Sequence, residues 1–223
     1  GRGQTVSEIH AEGCWVEMNA KREQNPVLKY WGQYKWSNVF AMIRNNMADP
    51  EICDDTFEGR FVVITGATSG IGYHTARKYA SRGAHLLTIN RDEQKSVALC
   101  EEIRREFGVP CAYRIADLSR LSDMHKAGRA LAELETPIDV LIHNAGLYLS
   151  KKHVTEDGLE MTFATNYLAS FVITYLARER LKAQRRARVI LVNSEGYRFA
   201  VWGLRLDDLN WDKRRYTGLR AYG

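Results

Sequence analysis

A chain of 223 residues with 45% hydrophobic content can bury one sizeable core, and it suits one domain with an appendage better than two domains. The net charge of +5 is only mildly basic, and the densest cationic run, Arg178 to Arg188, falls at the end of a predicted helix, where cations complement the dipole; a solvated helix end is favoured over a nucleic-acid or membrane patch, and no nucleic-acid partner is expected. No apolar stretch approaches a membrane span and no signal-peptide pattern opens the chain, so a soluble cytoplasmic protein with no integral membrane segment is expected. Cys14, Cys53, Cys100 and Cys111 are scattered without metal-ligand spacing, which fits reduced thiols and no metal site.

Residues 1–57 form an extension that precedes the main domain, and residues 1–30, with Trp15, read as an irregular arm. Near 35–47, Trp36, Val39, Phe40, Ile43 and Met47 recur at helical spacing with Ser37, Arg44 and Asn45 on other faces, predicting an amphipathic helix. Docking on the neighbouring domain is the favoured use of such a stripe, with peripheral membrane or partner contact as the alternative. Asp49-Pro50 and Asp54-Asp55 mark a break before the first strand.

From Phe61 onward strands alternate with helices, the pattern of a parallel sheet with crossover helices. Strands are predicted near 61–65, 85–89, 111–115, 138–143 and 188–193, and helices near 70–82, 93–107, 119–134 and 156–184. Right-handed crossovers then give an α/β fold with a doubly wound parallel sheet in the Rossmann order 3-2-1-4-5 over 58–223, with further strands expected beyond the residues given. The first strand, Phe61-Val-Val-Ile-Thr65, breaks into Gly66-Ala-Thr-Ser-Gly70-Ile-Gly72 before a helix that places Ala76, Tyr79 and Ala80 on one face. Glycines at such a turn let a pyrophosphate lie against main-chain N–H groups at the positive end of the following helix.

The stretch from Thr65 to Gly72 resembles the cofactor turn of the short-chain dehydrogenase/reductase family, and later residues extend the resemblance. It implies that Gly66, Thr68, Ser69, Gly70, Ile71 and Gly72 hold the cofactor pyrophosphate. At the second strand tip, Asn90 occupies the place of the acid that would bond the ribose hydroxyls of NAD, and Arg91 follows it. A guanidinium there can pair with a 2′-phosphate, so NADP(H) is preferred; pairing of Arg91 with Asp92 or Glu93 is the structural alternative, and Asp92 keeps NAD open. In Ala116-Asp117-Leu118-Ser119, Asp117 matches the family residue at the adenine edge, with Leu118 beside it, and a helix N-cap is its competing role. The fourth strand runs into Asn144-Ala145-Gly146, where the family carries Asn-Asn-Ala-Gly. His143 replaces the first Asn and is expected to be packed or hydrogen-bonded, while Asn144 can brace neighbouring strands.

Carbonyl reduction by a nicotinamide needs a hydride donor, a proton donor at the substrate oxygen and a group that holds that oxygen in line. Thr165-Asn166-Tyr167 resembles the family's Asn position, Val189 to Ser194 its Ser position, and Arg220-Ala-Tyr222-Gly223 the approach to its Tyr-x-x-x-Lys. The resemblance implies that Ser194 bonds the substrate carbonyl, Tyr222 exchanges the proton and Asn166 anchors a water of the relay. The long separation of Ser194 and Tyr222 is similar to the retinol-dehydrogenase-like subgroup. The sequence stops at Gly223, before the position of the family's Lys, so the chain as given is expected to be inactive and to lack a C-terminal portion. Trp202 and Trp211 lie where the subgroup's substrate loop falls; they suggest a small apolar carbonyl or alcohol substrate, or else they cover the sheet end. A homo-oligomer through helix 156–184 is implied by the resemblance alone. The competing function is a cofactor-binding, catalytically inactive structural or regulatory protein of the same fold.

Overall fold

The computed structural model describes residues 40, 43–44, 47–49, 52–196 and 204–223. The chain divides into two units, Cys53–Ser194 with Asp208–Tyr222, and Gly1–Ile52 with Glu195–Asp207 and Gly223. Of the amphipathic helix expected near 35–47, Phe40, Ile43 and Met47 of the stripe and Arg44 of the other face are helical; Trp36 and Val39 lie outside the described residues, as do the arm with Trp15 and Trp202.

In the larger unit the elements run β1 (Phe61–Thr65), α1 (Gly70–Ala80), β2 (His85–Asn90), α2 (Glu93–Phe107), β3 (Cys111–Ile115), α3 (Leu121–Ala132) and β4 (Val140–His143). Next comes α4, a long helix in three pieces: Met161–Phe163, a π-helical turn Ala164–Leu168, and Ala169–Lys182. β5 (Arg188–Leu191) and the short helix α5 (Gly218–Tyr222) follow. All pairings are parallel and the sheet order is β3-β2-β1-β4-β5.

The β-branched run of β1 is buried on both faces, as a central parallel strand must be. Val63, Leu87, Ile89 and Leu141 face Met124, Ala127 and Leu131 of α3 and Ala169, Ile173 and Ala177 of α4. Val62, Ile64, Leu86, Val140 and Ile142 face Ala76 and Ala80 of α1 and Leu99 and Ile103 of α2. Among the described residues, no helix is long and apolar enough to cross a membrane.

Several element ends differ from expectation, and each difference has a local cause. The fourth strand starts at Val140 rather than 138 because the Asp139 carboxylate accepts the Phe61 amide at 2.9 Å and pairs with Arg60 at 2.9 Å. The helix expected from 119 starts at Leu121, whose amide donates to Asp157 Oδ2 at 2.8 Å, so the cap comes from a distant segment. The helix expected over 156–184 starts at Met161, since Glu160 is extended, bridges Val154 and accepts the first amides of the helix. Its π turn adds one residue per turn around Asn166, a feature that concentrates at functional sites.

Candidate functional site

The glycine turn sits at the carboxyl edge of the sheet, held from both neighbouring strands. From β2, the Gly66 amide donates to Ile89 O at 2.9 Å and the Ala67 amide to Asn90 Oδ1 at 2.8 Å. From β4, Asn144 Nδ2 donates to Gly66 O at 2.9 Å and to Thr65 O at 3.2 Å, while Thr65 Oγ1 accepts the amides of Asn144 and Ala145, both at 3.1 Å. Asn144 therefore braces the strands as expected.

Two glycines have distinct jobs. A Cβ at Gly72 would lie 2.2 Å from Gly66 O and 2.3 Å from Asn144 Nδ2, so Gly72 permits the close contact of α1 with the turn. Gly70 has φ +54° and open space where its Cβ would point, leaving its backbone free for a ligand to approach.

The start of α1 suits an anion. Ser69, its N-cap, makes no side-chain capping hydrogen bond, and the first turn carries no acidic residue, whereas Asp92 caps α2 by accepting the Lys95 amide at 3.0 Å. A pyrophosphate would supply the charge that no side chain provides there. Thr68 is half-buried, and Ser69 and Ile71 are exposed beside the turn. The residues present fit a dinucleotide, with Thr68 to Gly72 as its cradle.

Three expected cofactor contacts take a different form. Asn90 is buried, with Nδ2 donating to Thr88 Oγ1 and Ser96 Oγ, both at 3.1 Å, so it supports the turn from inside. Leu118 packs its side chain into the core and can offer a ligand only main chain. Asn144 likewise spends its amide on the turn.

Arg91 is exposed and, among the described residues, forms no ion pair, so the pairing with Asp92 or Glu93 is not realised. Asp92 is engaged with Lys95. Asp117 accepts the Ser119 amide at 3.0 Å and its hydroxyl at 2.8 Å, forming a turn rather than the N-cap of α3, a position held by Arg120. His143 is buried with Nε2 2.8 Å from Thr174 Oγ1, the packed, bonded state expected, and burial lowers its pKa to about 4.

Around the expected catalytic residues, the loop after β4 is the meeting point. Asn166 and Leu147 pair reciprocally: Leu147 N–H donates to Oδ1 and Nδ2 donates to Leu147 O, both at 2.9 Å. Gly146 passes beside Asn166 in the same loop. Tyr148, exposed, meets the Tyr222 ring edge-on at 5.6 Å between centroids. Asn166 and Tyr222 thus converge through Leu147 and Tyr148. Ser194 reaches the same edge separately, just past β5, where the Val192 amide donates to His143 O at 2.9 Å.

Trp211 is 9% exposed with φ +57°, covered by the Arg214 guanidinium at 3.9 Å and packed edge-on to Tyr216 at 5.4 Å. It is a packed ring rather than the wall of an open pocket. Local sequence assigns no role to Glu160 or Tyr148, and gives Arg215-Tyr216 only a place on the approach to the expected Tyr-x-x-x-Lys; the Asp157-Gly158 turn ahead of Glu160 is the available signal for a helix start there.

A parallel sheet with a glycine turn at its carboxyl edge and an uncapped helix behind it defines a dinucleotide-binding α/β domain. The family model described as short chain dehydrogenase matches residues 60–203, and the chain belongs to this oxidoreductase family, among its retinol-dehydrogenase-like members. It is 36% identical to human retinol dehydrogenase 13 over 168 residues, covering 75% of this chain and 50% of that protein. Identity to mouse retinol dehydrogenase 12 is 40% over 167 residues, covering 74% and 52%. The chain thus spans about half the length of these relatives. Among solved structures, a short-chain dehydrogenase from Sphingobium yanoikuyae in complex with NADPH superposes with a TM-score of 0.57 at 29% identity, over 65% of this chain and 59% of that one.

Proposed function

We propose that the protein is an NADP(H)-dependent oxidoreductase acting on an apolar carbonyl or the corresponding primary or secondary alcohol. The observation that carries the cofactor preference is Arg91, exposed beside the β2 tip with no ion pair among the described residues, while Asp92 is occupied as a helix cap. A guanidinium so placed pairs with a 2′-phosphate, and the nearer carboxylate, Asp92, is turned to the start of α2 and to Lys95. The NADPH in the Sphingobium structure and the retinol dehydrogenase names of the relatives support cofactor and substrate class respectively.

A bound nicotinamide supplies or takes the hydride. Within this chain, Thr68, Ser69, Gly70, Ile71 and Gly72 bind the pyrophosphate, and Asp117 with the main chain of Leu118 borders the adenine. Ala145 and Gly146 line the path across the sheet edge. Ser194 orients the substrate oxygen, Tyr222 passes a proton to or from that oxygen, and Asn166, fixed on Leu147, holds a water of the proton path.

Pairing of two copies along α4 has its own support. Phe163, Tyr167, Phe171 and Tyr175 form a ladder with centroid spacings of 5.5, 6.5 and 6.0 Å, and the last three rings are exposed. The experiment for the reaction is Tyr222→Phe in the intact protein. Turnover of retinal with NADPH is expected to vanish while NADPH affinity stays nearly intact; retained turnover removes Tyr222 from its role.

A further inference from the structure

Glu160 is 1% exposed, and a buried carboxylate is costly unless its oxygens are bonded. Here they are bonded from two directions. Oε1 accepts the Thr162 amide at 3.0 Å and Oε2 the Phe163 amide at 2.7 Å, which fixes the start of the helix bearing Asn166. The Tyr216 hydroxyl reaches Oε1 at 3.3 Å and lies equally 3.3 Å from Leu149 O, in the loop where Leu147 grips Asn166. Burial holds the Tyr216 phenol above its ordinary pKa, so it is a hydrogen donor at neutral pH.

The segment leading to Tyr222 is pinned at three more points. Asn210 accepts the Glu160 amide at 3.0 Å and donates to Gly158 O at 2.9 Å. A Cβ at Gly218 would lie 2.2 Å from Leu149 O, so the segment rests directly on the loop after β4. The Tyr222 ring then meets that of Tyr148. A simple helix cap would need only the amide contacts of Glu160. The additional bonds join the three segments that converge on the site.

We propose that Glu160 and Tyr216 are positioning residues, a clasp that sets the Asn166 helix, the loop after β4 and the Tyr222 segment in one arrangement. The clasp's catalytic consequence rests on the functional reading above; its geometric consequence does not. Tyr216→Phe removes the hydroxyl and keeps the ring packed on Trp211, and Glu160→Gln keeps the shape but removes the charge and turns one of the two amide-accepting oxygens into a donor.

The test compares the intact wild-type protein with both variants by hydrogen exchange, by melting temperature, and by NADPH-dependent reduction of retinal. Exchange at residues 147–150 and 217–222 is expected to quicken about tenfold while β1 and β4 are unchanged. The kcat is expected to fall about tenfold with KM within about twofold, because the loss is one of alignment rather than affinity. A purely structural role would instead lower the melting temperature and leave kcat of the folded protein unchanged, which overturns the catalytic link. Unaltered exchange at both segments in Tyr216→Phe overturns the clasp itself. If wild-type protein reduces no retinal, the functional reading falls, and exchange still decides the clasp.

Discussion

Lowering the pH from 7.5 to 5.0 should destabilise the protein through the buried ring of His143. Its ring lies at the end of β4, 4% exposed, and burial is the cause that lowers its pKa from 6.5 to about 4. A histidine depressed in the folded state binds its proton more readily when unfolded, so stability is complete above 6.5 and is lost as pH falls towards 4. At pH 5.0 the unfolded ring is almost fully protonated and the folded ring mostly neutral. The linkage then amounts to about 2 kcal/mol, or about thirtyfold in the unfolding constant. Urea unfolding at both pH values, for wild type and His143→Asn, isolates this contribution from the carboxylates that titrate in both proteins. The wild type should lose about 2 kcal/mol more than the variant over that interval. Equal losses would refute the burial argument for His143.

The two turn glycines should fail differently when changed to alanine. At Gly72 the new Cβ would collide with Gly66 O and Asn144 Nδ2, so Gly72→Ala should disrupt the turn and lower the melting temperature sharply. Gly70→Ala meets no atom and suffers only the strain of φ +54°, about 1–2 kcal/mol. It should stay folded by circular dichroism while NADPH affinity falls by at least about tenfold, since the methyl enters the ligand's space. Arg91→Ala should weaken NADPH about tenfold or more and NADH by no more than about twofold, as measured by fluorescence titration. Equal losses for the two nucleotides would remove the basis for an NADP(H) preference.

Much of the frame is legible in local sequence. β1 and β3 span the predicted residues: β1 is a short apolar run ended by a glycine turn, and β3 falls between two helices of an alternating chain just after Pro110. The glycine turn is similarly self-announcing. What escapes is decided by side chains far apart in sequence: Asp139 reaches back to Phe61, Asp157 caps α3, and Glu160 caps α4 while holding Tyr216. Asn90 shows how a strand-tip residue can have a structural use that position alone does not reveal. Alternation along β2 places it on the same face as Leu86 and Thr88, towards Ser96 of α2, where its amide becomes an internal support. The convergence of Asn166 and Tyr222 depends on a loop contact that no periodicity encodes.

Direct titration of the intact, folded protein with NADPH, followed by calorimetry and by quenching of intrinsic fluorescence, tests the central claim most simply. Saturable binding at one site per chain is expected, tighter for NADPH than for NADH and weakened by Gly70→Ala. Folded protein that binds neither nucleotide would contradict it.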